Sequence, residues 1–307
     1  MSLSRSEESA PATPDTLRTA STAAWPRITL VTPVFNSVRY IEQTIRSVLC
    51  QGYPNLEYII VDGGSTDGTV DIIRKYEKDI SLWISEPDQG MFDAINKGFG
   101  LMSGEVMGWI NASDQLHVGG LFVVGCVFRT FQEVEWITGR PTVFDALGST
   151  VTVCALQRYS RPRLLAGINP VIQQESTFWR RSLWQRAGGY IDASHRGCSD
   201  WELWLRFFRN AKLYQVGALI GGYRGHEDAL SRKDFSFRHV HEVLEKELDS
   251  VPWGRVLRAF RSLNNTIERI PKVRVLWRRI VMQPLARMPG FDAAPMILPR
   301  DNQWIMH

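Results

Sequence analysis

From residue 27 onward the chain alternates between two hydrophobic rhythms. Arg27–Phe35 (RITLVTPVF) is a short β-branched run that stops at Asn36, the pattern of a buried strand. From Ser37 the spacing turns helical, with Ile41, Ile45, Val48 and Leu49 on one face. After a turn at Gly52–Asn55 comes a second strand run, Leu56–Val61 (LEYIIV), which ends in Asp62–Gly68 (DGGSTDG). A helical pattern begins near Thr69 with Val70, Ile72, Ile73 and Tyr76. A third short strand, Ser81–Ser85, leads to Glu86–Gly90 and a helix through Asp93–Gly98. A fourth, Val106–Ile110, ends in Asn111–Asp114 (NASD).

Strand and helix patterns in alternation predict an α/β fold with a mostly parallel sheet and helices on both faces. In such sheets ligands bind beyond the carboxyl ends of the strands, where all of these polar clusters fall. A Gly/Ser/Asp turn at that edge offers backbone N–H groups and carboxylates beside helix N-termini. That chemistry suits a phosphate, a sugar or a metal.

Composition narrows the class. The chain has 307 residues, 44% of them hydrophobic and 22% charged, which excludes a disordered chain and allows a sizeable core. Residues 1–25, rich in Ser, Thr, Ala and Pro without an apolar stretch, read as a disordered tail rather than a signal peptide. The longest small and apolar run, Val118–Phe128, is far short of the roughly 20 residues that span a bilayer. Cys50, Cys126, Cys154 and Cys198 form no CxxC pair, so neither a zinc site nor a disulfide framework is indicated and a cytoplasmic location fits. The net charge of +4 resides in residues 235–307, while 26–234 is neutral, which argues against a nucleic-acid partner.

The stretch TLVTPVFNSVRYIEQTIRSVLCQGYPNLEYIIVDGGSTDGT resembles the opening of inverting family 2 glycosyltransferases. SEPDQGMFDAINKGFGLMSGEVMGWINASD, QQESTFWRRSLWQRAGGY, SDWELWLRFF and GGYRGHEDALS continue the likeness in order, over about residues 29–231. It is closest to the branch that builds bacterial O-antigen and exopolysaccharide. The resemblance implies a GT-A fold over 26–234, a Rossmann-like α/β sandwich. It also implies a nucleotide-sugar donor, UDP-linked before others, and a glycan or lipid-linked acceptor.

Residue by residue, the resemblance implies that Asp62 hydrogen-bonds the nucleotide base while Thr32 and Pro33 line its pocket through the backbone. Asp88 and Asp93 face the ribose or diphosphate, with Lys97 beside them; Asp93 and Lys97 are also an (i, i+4) pair that supports a helix without any ligand. Asp67 reads as a cap of the following turn. The family places an acidic pair, as in NSDD or NADD, where this chain has Asn111–Asp114, and its last Asp binds Mg²⁺ or Mn²⁺. Here Ser113 stands for the first acid and Asp114 is kept. A hard divalent cation takes oxygen ligands and needs few protein carboxylates when phosphates supply the rest. His226 is a second candidate ligand, and Arg224 either neutralises phosphate or pairs with an acid in the core.

Gln173, Gln174 and Glu175 fall on the acceptor side by the same resemblance, with Glu202 a further candidate there. Ser182–Trp184 followed by Gly188–Tyr190 reads as a helix with a glycine stop. Ser199–Trp204 opens a helix whose apolar face is Leu203, Trp204, Phe207 and Phe208. Asp200 in its first turn matches the family's general base. The chemistry requires one, because a sugar hydroxyl must lose its proton as it attacks the anomeric carbon. Attack opposite the leaving nucleoside diphosphate inverts that carbon without a covalent intermediate.

Residues 251–287 hold nine basic residues against one acidic. Trp253, Val256, Leu257, Phe260 and Leu263 recur at helical spacing, and Val273, Leu276, Trp277, Ile280 and Val281 repeat the pattern after Pro271. This basic amphipathic segment either docks on an anionic membrane or packs on the core with its arginines solvated. Residues 288–307, with Pro289, Gly290, Pro295 and Pro299, read as irregular surface wrapping. Two rival functions stay open: a non-catalytic nucleotide-sugar-binding protein, which the altered Asn111–Asp114 block favours, and a dinucleotide dehydrogenase, against which stands the lack of GxGxxG after the first strand.

Overall fold

The computed structural model describes residues 25–168, 171–195, 198–227, 237–282, 294–301 and 303–307. Residues 1–24 of the expected tail lie outside them. Trp25 does not belong to that tail: it is buried, with its ring edge-on to Tyr53 and Phe122.

The alternation predicted for the first hundred residues is present as β1 (Ile28–Val34), α1 (Ile41–Leu49), β2 (Leu56–Asp62), α2 (Thr69–Lys75), β3 (Leu82–Ser85), α3 (Met91–Gly100) and β4 (Val106–Trp109). There follow β5 (Gln115–Leu116), α4 (Gly120–Thr130), β6 (Trp136–Thr138), β7 (Thr142–Phe144), β8 (Thr150–Val153), α5 (Arg161–Leu165), β9 (Thr177–Arg180) and α6 (Arg181–Arg186). The helix α6 closes at the predicted glycine pair, where Gly189 N–H reaches back to the Trp184 carbonyl at 2.9 Å. The rest comprises α7 (Ser199–Asn210), β10 (Leu213–Gln215), β11 (Gly221–Arg224), α8 (Phe237–Asp249), α9 (Gly254–Glu268), α10 (Pro271–Trp277), β12 (Ile297–Arg300) and β13 (Gln303–Met306).

The main sheet runs β10-β6-β9-β4-β1-β2-β3. Its strands are parallel except β9, which is antiparallel to both β4 and β6. Alternate side chains of the central strands feed two cores, as a period of two requires. Ile28, Leu30, Tyr58 and Ile60 meet α1, α2 and α4 on one face; Val31, Ile59 and Val61 meet α3, α6 and α7 on the other. A smaller sheet, β5-β11-β7-β8, stands at the carboxyl edge of the large one.

The second core is aromatic. Trp204 of α7 stacks on Trp109 of β4, with ring centroids 5.7 Å apart and planes 13° apart, and on Trp136 of β6 at 5.6 Å. Trp179 of β9 meets both Trp109 and Trp204 edge-on. Rings of this size contribute several kcal/mol each by burial alone, on the order of 3–5 when one is truncated. The cluster joins the strand that precedes Asp114 to the helix that carries Asp200.

Two expectations change at the C-terminus. Residues 297–306 are not irregular: β12 and β13 form an antiparallel hairpin whose start bridges back to Val216 after β10. Pro299 is tolerated because this ribbon has a free edge. The described part of the basic segment, 251–282, does pack on the body, through Val251 and Leu257 against the buried faces of α5, α7 and α8. Arg258 pairs with Glu245 and Asp249 there. The same segment leaves Val256, Leu263, Val275, Leu276 and Ile280 half or more exposed. All four cysteines are free.

Candidate active site

The parallel register sets Val34, Asp62 and Ser85 side by side at the carboxyl edge. Asp62 is fully buried, and its carboxylate accepts from Gly64 N–H at 3.1 Å, Ser65 N–H at 3.0 Å, Ser65 Oγ at 2.5 Å and Ser85 Oγ at 2.7 Å. A carboxylate has about four acceptor positions, two on each oxygen; three of these bonds fall on Oδ2 and one on Oδ1. Asp62 therefore orders the turn, while its Oδ1 keeps acceptor capacity. The backbone contacts expected of Thr32 and Pro33 stay a proposal. Both lie inside β1 with their side chains buried, and Thr32 Oγ1 is bonded to Tyr58 Oη at 3.1 Å. The exposed residues at this edge are Phe35 and Asn36, which follow them.

Asp67 is the cap predicted. It receives Val38 N–H at 3.0 Å, Thr69 N–H at 3.0 Å and Thr69 Oγ1 at 2.5 Å. Burial works against its charge, but these hydrogen bonds outweigh it and hold the carboxyl below the usual range. Asp88 lies over Gly63, where a Cβ would come within 2.6 Å of Asp88 Oδ2, so this glycine admits the carboxylate to the rim. Asp93 accepts Gln89 N–H at 3.0 Å and pairs with Lys97 at 3.5 Å, while Lys97 also reaches Glu86 at 3.0 Å. These side chains fringe the N-terminus of α3.

The turn after β4 is held from several directions. Thr44, a polar residue on the apolar face of α1, donates to the carbonyls of Ala112 and Asp114 at 2.9 and 2.8 Å. Such a residue on a buried face needs a partner, and that need was the readable signal of its role. Asp114 is 1% exposed. Its Oδ1 accepts Arg224 N–H at 2.8 Å, and its Oδ2 accepts Asn111 Nδ2 at 3.1 Å. Burial pushes its carboxyl up to about 6 despite these bonds. Arg224 makes its guanidinium hydrogen bonds to oxygens other than carboxylates. It is buried, donating to the Ser113 and Ala146 carbonyls and to Gln43 Oε1, with its guanidinium over Tyr40. His226 lies two residues beyond, its ring against Tyr40 at 4.6 Å between centroids.

Gln174 and Glu202 are corrections. Gln174 is buried and turned inward, bonded to the Trp109 carbonyl and to Asn111 Nδ2, so it braces the Asp114 turn instead of facing an acceptor. Glu202 grips Arg206 with both oxygens, at 2.8 and 2.9 Å to Nε, while Arg206 ties the Ala187 and Tyr190 carbonyls to α7. The (i, i+4) spacing of Glu202 and Arg206 announced that pairing. Gln173 bonds both backbone groups of Thr142, beside β7.

Glu175 is 6% exposed, on a short 3-10 turn, Gln174–Ser176, that enters β9. It hydrogen-bonds Asp114. Burial, then the charge of Asp114, raises its carboxyl well above the usual range, and Asp200 adds to the effect. Asp200 is half-buried in the first turn of α7, and its Oδ1 accepts Trp201 N–H at 2.9 Å. Burial lifts it to about 6. Three acids from remote parts of the chain thus converge at one edge. Among the described residues, no three His, Cys, Asp or Glu side chains are placed to hold a metal ion by themselves.

The sequence profile of glycosyl transferase family 2 matches residues 29–121. An uncharacterized glycosyltransferase of Mycobacterium tuberculosis strain H37Rv is 31% identical over 189 residues, which are 59% of this chain and 68% of that protein. Staphylococcus aureus TarS 1–349, solved with UDP-GlcNAc, superposes with a TM-score of 0.60 at 15% identity, over 72% of this chain and 66% of that one. The mannosyltransferase PcManGT of Pyrobaculum calidifontis, solved with GDP-Man and Mn²⁺, gives 0.56 at 17%, over 87% and 82%. At such identities the likeness is one of fold, the GT-A arrangement of a mostly parallel sheet between helices.

Proposed function

The chain belongs to glycosyltransferase family 2, and from that premise we propose that it transfers a sugar, with inversion, from a nucleotide-sugar to a hydroxyl of a glycan or lipid-linked glycan. The observation that carries this reading is Asp200, half-buried at a helix start in the same acidic cluster as Asp114. The acceptor hydroxyl attacks the anomeric carbon and its proton passes to Asp200. The bond to the diphosphate oxygen breaks, and the nucleoside diphosphate departs from the opposite face with the bonding electrons. The nucleotide lies along the carboxyl ends of β1, β2 and β3, beside Asp88, Asp93 and the turn that Asp62 orders.

The residues of the Asp114 turn fit a divalent cation. Their donors are hard oxygens, and Asn111 Oδ1 is buried without a protein partner. Asp114 would hold Mg²⁺ or Mn²⁺, with His226 a further candidate, and the ion would neutralise charge on the leaving diphosphate. The relatives' solved ligands include both UDP and GDP sugars, so the base is left to experiment. The test is a thermal-shift titration with UDP-, GDP- and dTDP-sugars, each with and without Mn²⁺, followed by transfer assays on the donor that binds. A donor-specific shift and turnover are expected. Binding without turnover over a broad acceptor panel would favour a non-catalytic protein.

No helix among the described residues is long and apolar enough to cross a membrane. We place a peripheral contact on 251–287, at the inner face of the membrane. The exposed Val256, Leu263, Val275, Leu276 and Ile280 are interspersed with exposed Arg255, Arg269 and Arg279. Such a surface matches anionic headgroups over acyl chains. Co-sedimentation with phosphatidylglycerol vesicles should weaken with salt and with Val256→Glu; equal recovery without vesicles would refute the contact.

A further inference from the structure

We propose that Glu175 is the second protein carboxylate of the cation site, entering from the loop before β9 to fill the place that Ser113 leaves in the β4 turn. This rests on the reading that Asp114 holds the ion. Four observations converge on it.

The β4 turn has lost one of its two acids, since residue 113 is a serine. Glu175 supplies a carboxyl at the remaining one, hydrogen-bonded to Asp114 although they are far apart in sequence. The turn that carries it is fastened on both flanks. Gln174 is tied to Trp109 and Asn111, and the Ser176 carbonyl accepts Gly139 N–H at 2.9 Å. Gly221 of β11 completes the placement: a Cβ there would lie 2.1 Å from the Glu175 carbonyl oxygen, so only glycine lets the turn close on the strand that bonds Asp114.

The fourth observation points to a ligand. Glu175 Oε2 is buried and has no hydrogen-bond partner, an arrangement that is costly unless something else binds it. With an acid on each side, two protein carboxylates and the donor diphosphate make an all-oxygen set for Mg²⁺ or Mn²⁺. The lack of any three-residue cluster among the described residues agrees with a site that the diphosphate completes. Asp200 stays outside the set, free to take a proton.

The decisive measurement is Mn²⁺ binding by the full chain, read from the loss of the free Mn²⁺ electron paramagnetic resonance signal, alone and with UDP or GDP. Glu175→Gln should weaken Mn²⁺ binding at least about tenfold, as should Asp114→Asn, while Glu202→Gln stays within about twofold. Unchanged binding in Glu175→Gln with loss in Asp114→Asn overturns the inference and leaves the Asp114 reading standing. Unchanged binding in both overturns the two together. A readout that needs no variant is electron–nuclear double resonance on protein labelled with ¹³C at its glutamate side-chain carboxyls. A coupling from Mn²⁺ to such a carbon is expected, and its absence with Mn²⁺ bound overturns the proposal even if Glu175→Gln fails to fold.

Discussion

Two groups of acids edge the same sheet, and their surroundings are opposite. At the rim formed by β1, β2 and α2, Asp62 and Asp67 accept three or four hydrogen bonds each from N–H and hydroxyl groups close by in the fold. Beyond β4, Asp114 and Glu175 are buried with Asp200 half-buried near them, and they have fewer donors than they can accept. The physical consequence differs in sign. Hydrogen bonds hold the Asp67 carboxyl down, whereas burial lifts Asp114 and Asp200 to about 6. Acids of the first kind build the architecture, and on the proposed function acids of the second kind receive a cation or a proton.

The comparison is most exposed to refutation at Asp200. Asp200→Asn should lower turnover by about 10²–10⁴ while donor binding by thermal shift is kept. In the wild type, kcat/KM should climb as pH rises through about 6, because burial delays formation of the carboxylate, and then level off. Turnover within a few-fold of wild type in the variant would reassign the base.

Asp114 should break the usual expectation that removing a buried polar group destabilises. Its folded value of about 6 lies above the roughly 3.9 of an unfolded aspartate. The folded state therefore keeps a proton that the unfolded state releases. Without cation, stability falls as pH rises from about 4 to 6, and the loss is complete above that window. Asp114→Asn cannot ionise, and the neighbouring Asn111 amide can turn its unpartnered Oδ1 towards the new donor. In chelator at pH 8 the variant should be more stable than wild type by about 1–2 kcal/mol. Adding Mn²⁺ and donor should reverse the order, since only the wild type gains from binding. A variant less stable than wild type in chelator would move Asp114 into the architectural group.

How much of this was legible follows the range of the interactions. The strands and helices from β1 to β4 repeat local periodicities, and the polar clusters at their ends mark the binding edge directly. The helix that Asp200 opens was legible from its amphipathic pattern, whereas a role for Asp200 as base came from the resemblance. The short strands β6–β9 were not, since runs of three or four residues carry little pattern, and their order depends on Trp109, Trp136, Trp179 and Trp204 meeting across the chain. Local motifs also hide partners: nothing near Gln174 indicates that it bonds the Trp109 carbonyl, and nothing near Asp62 indicates that Ser85 donates to it. The hairpin at 297–306 escaped because prolines in a ribbon with a free edge look like those of a loop.

The smallest effect belongs to Asp67, and it sharpens the contrast most cleanly because this residue lies outside the cleft. Asp67→Asn keeps the shape but loses part of the acceptor capacity that Val38 and Thr69 use. The expected cost in urea unfolding at pH 7 is about 1 kcal/mol, that of a capping side chain. Its sign with pH is opposite to that of Asp114. A carboxyl held below its unfolded value contributes stability that is present above about pH 4 and is lost as pH falls through the folded value. The gap between wild type and variant should thus narrow as unfolding is repeated towards pH 3, while turnover and Mn²⁺ affinity at pH 7 stay at wild-type levels. A gap that widens in acid, or a variant that loses Mn²⁺, would dissolve the division between the two groups of acids.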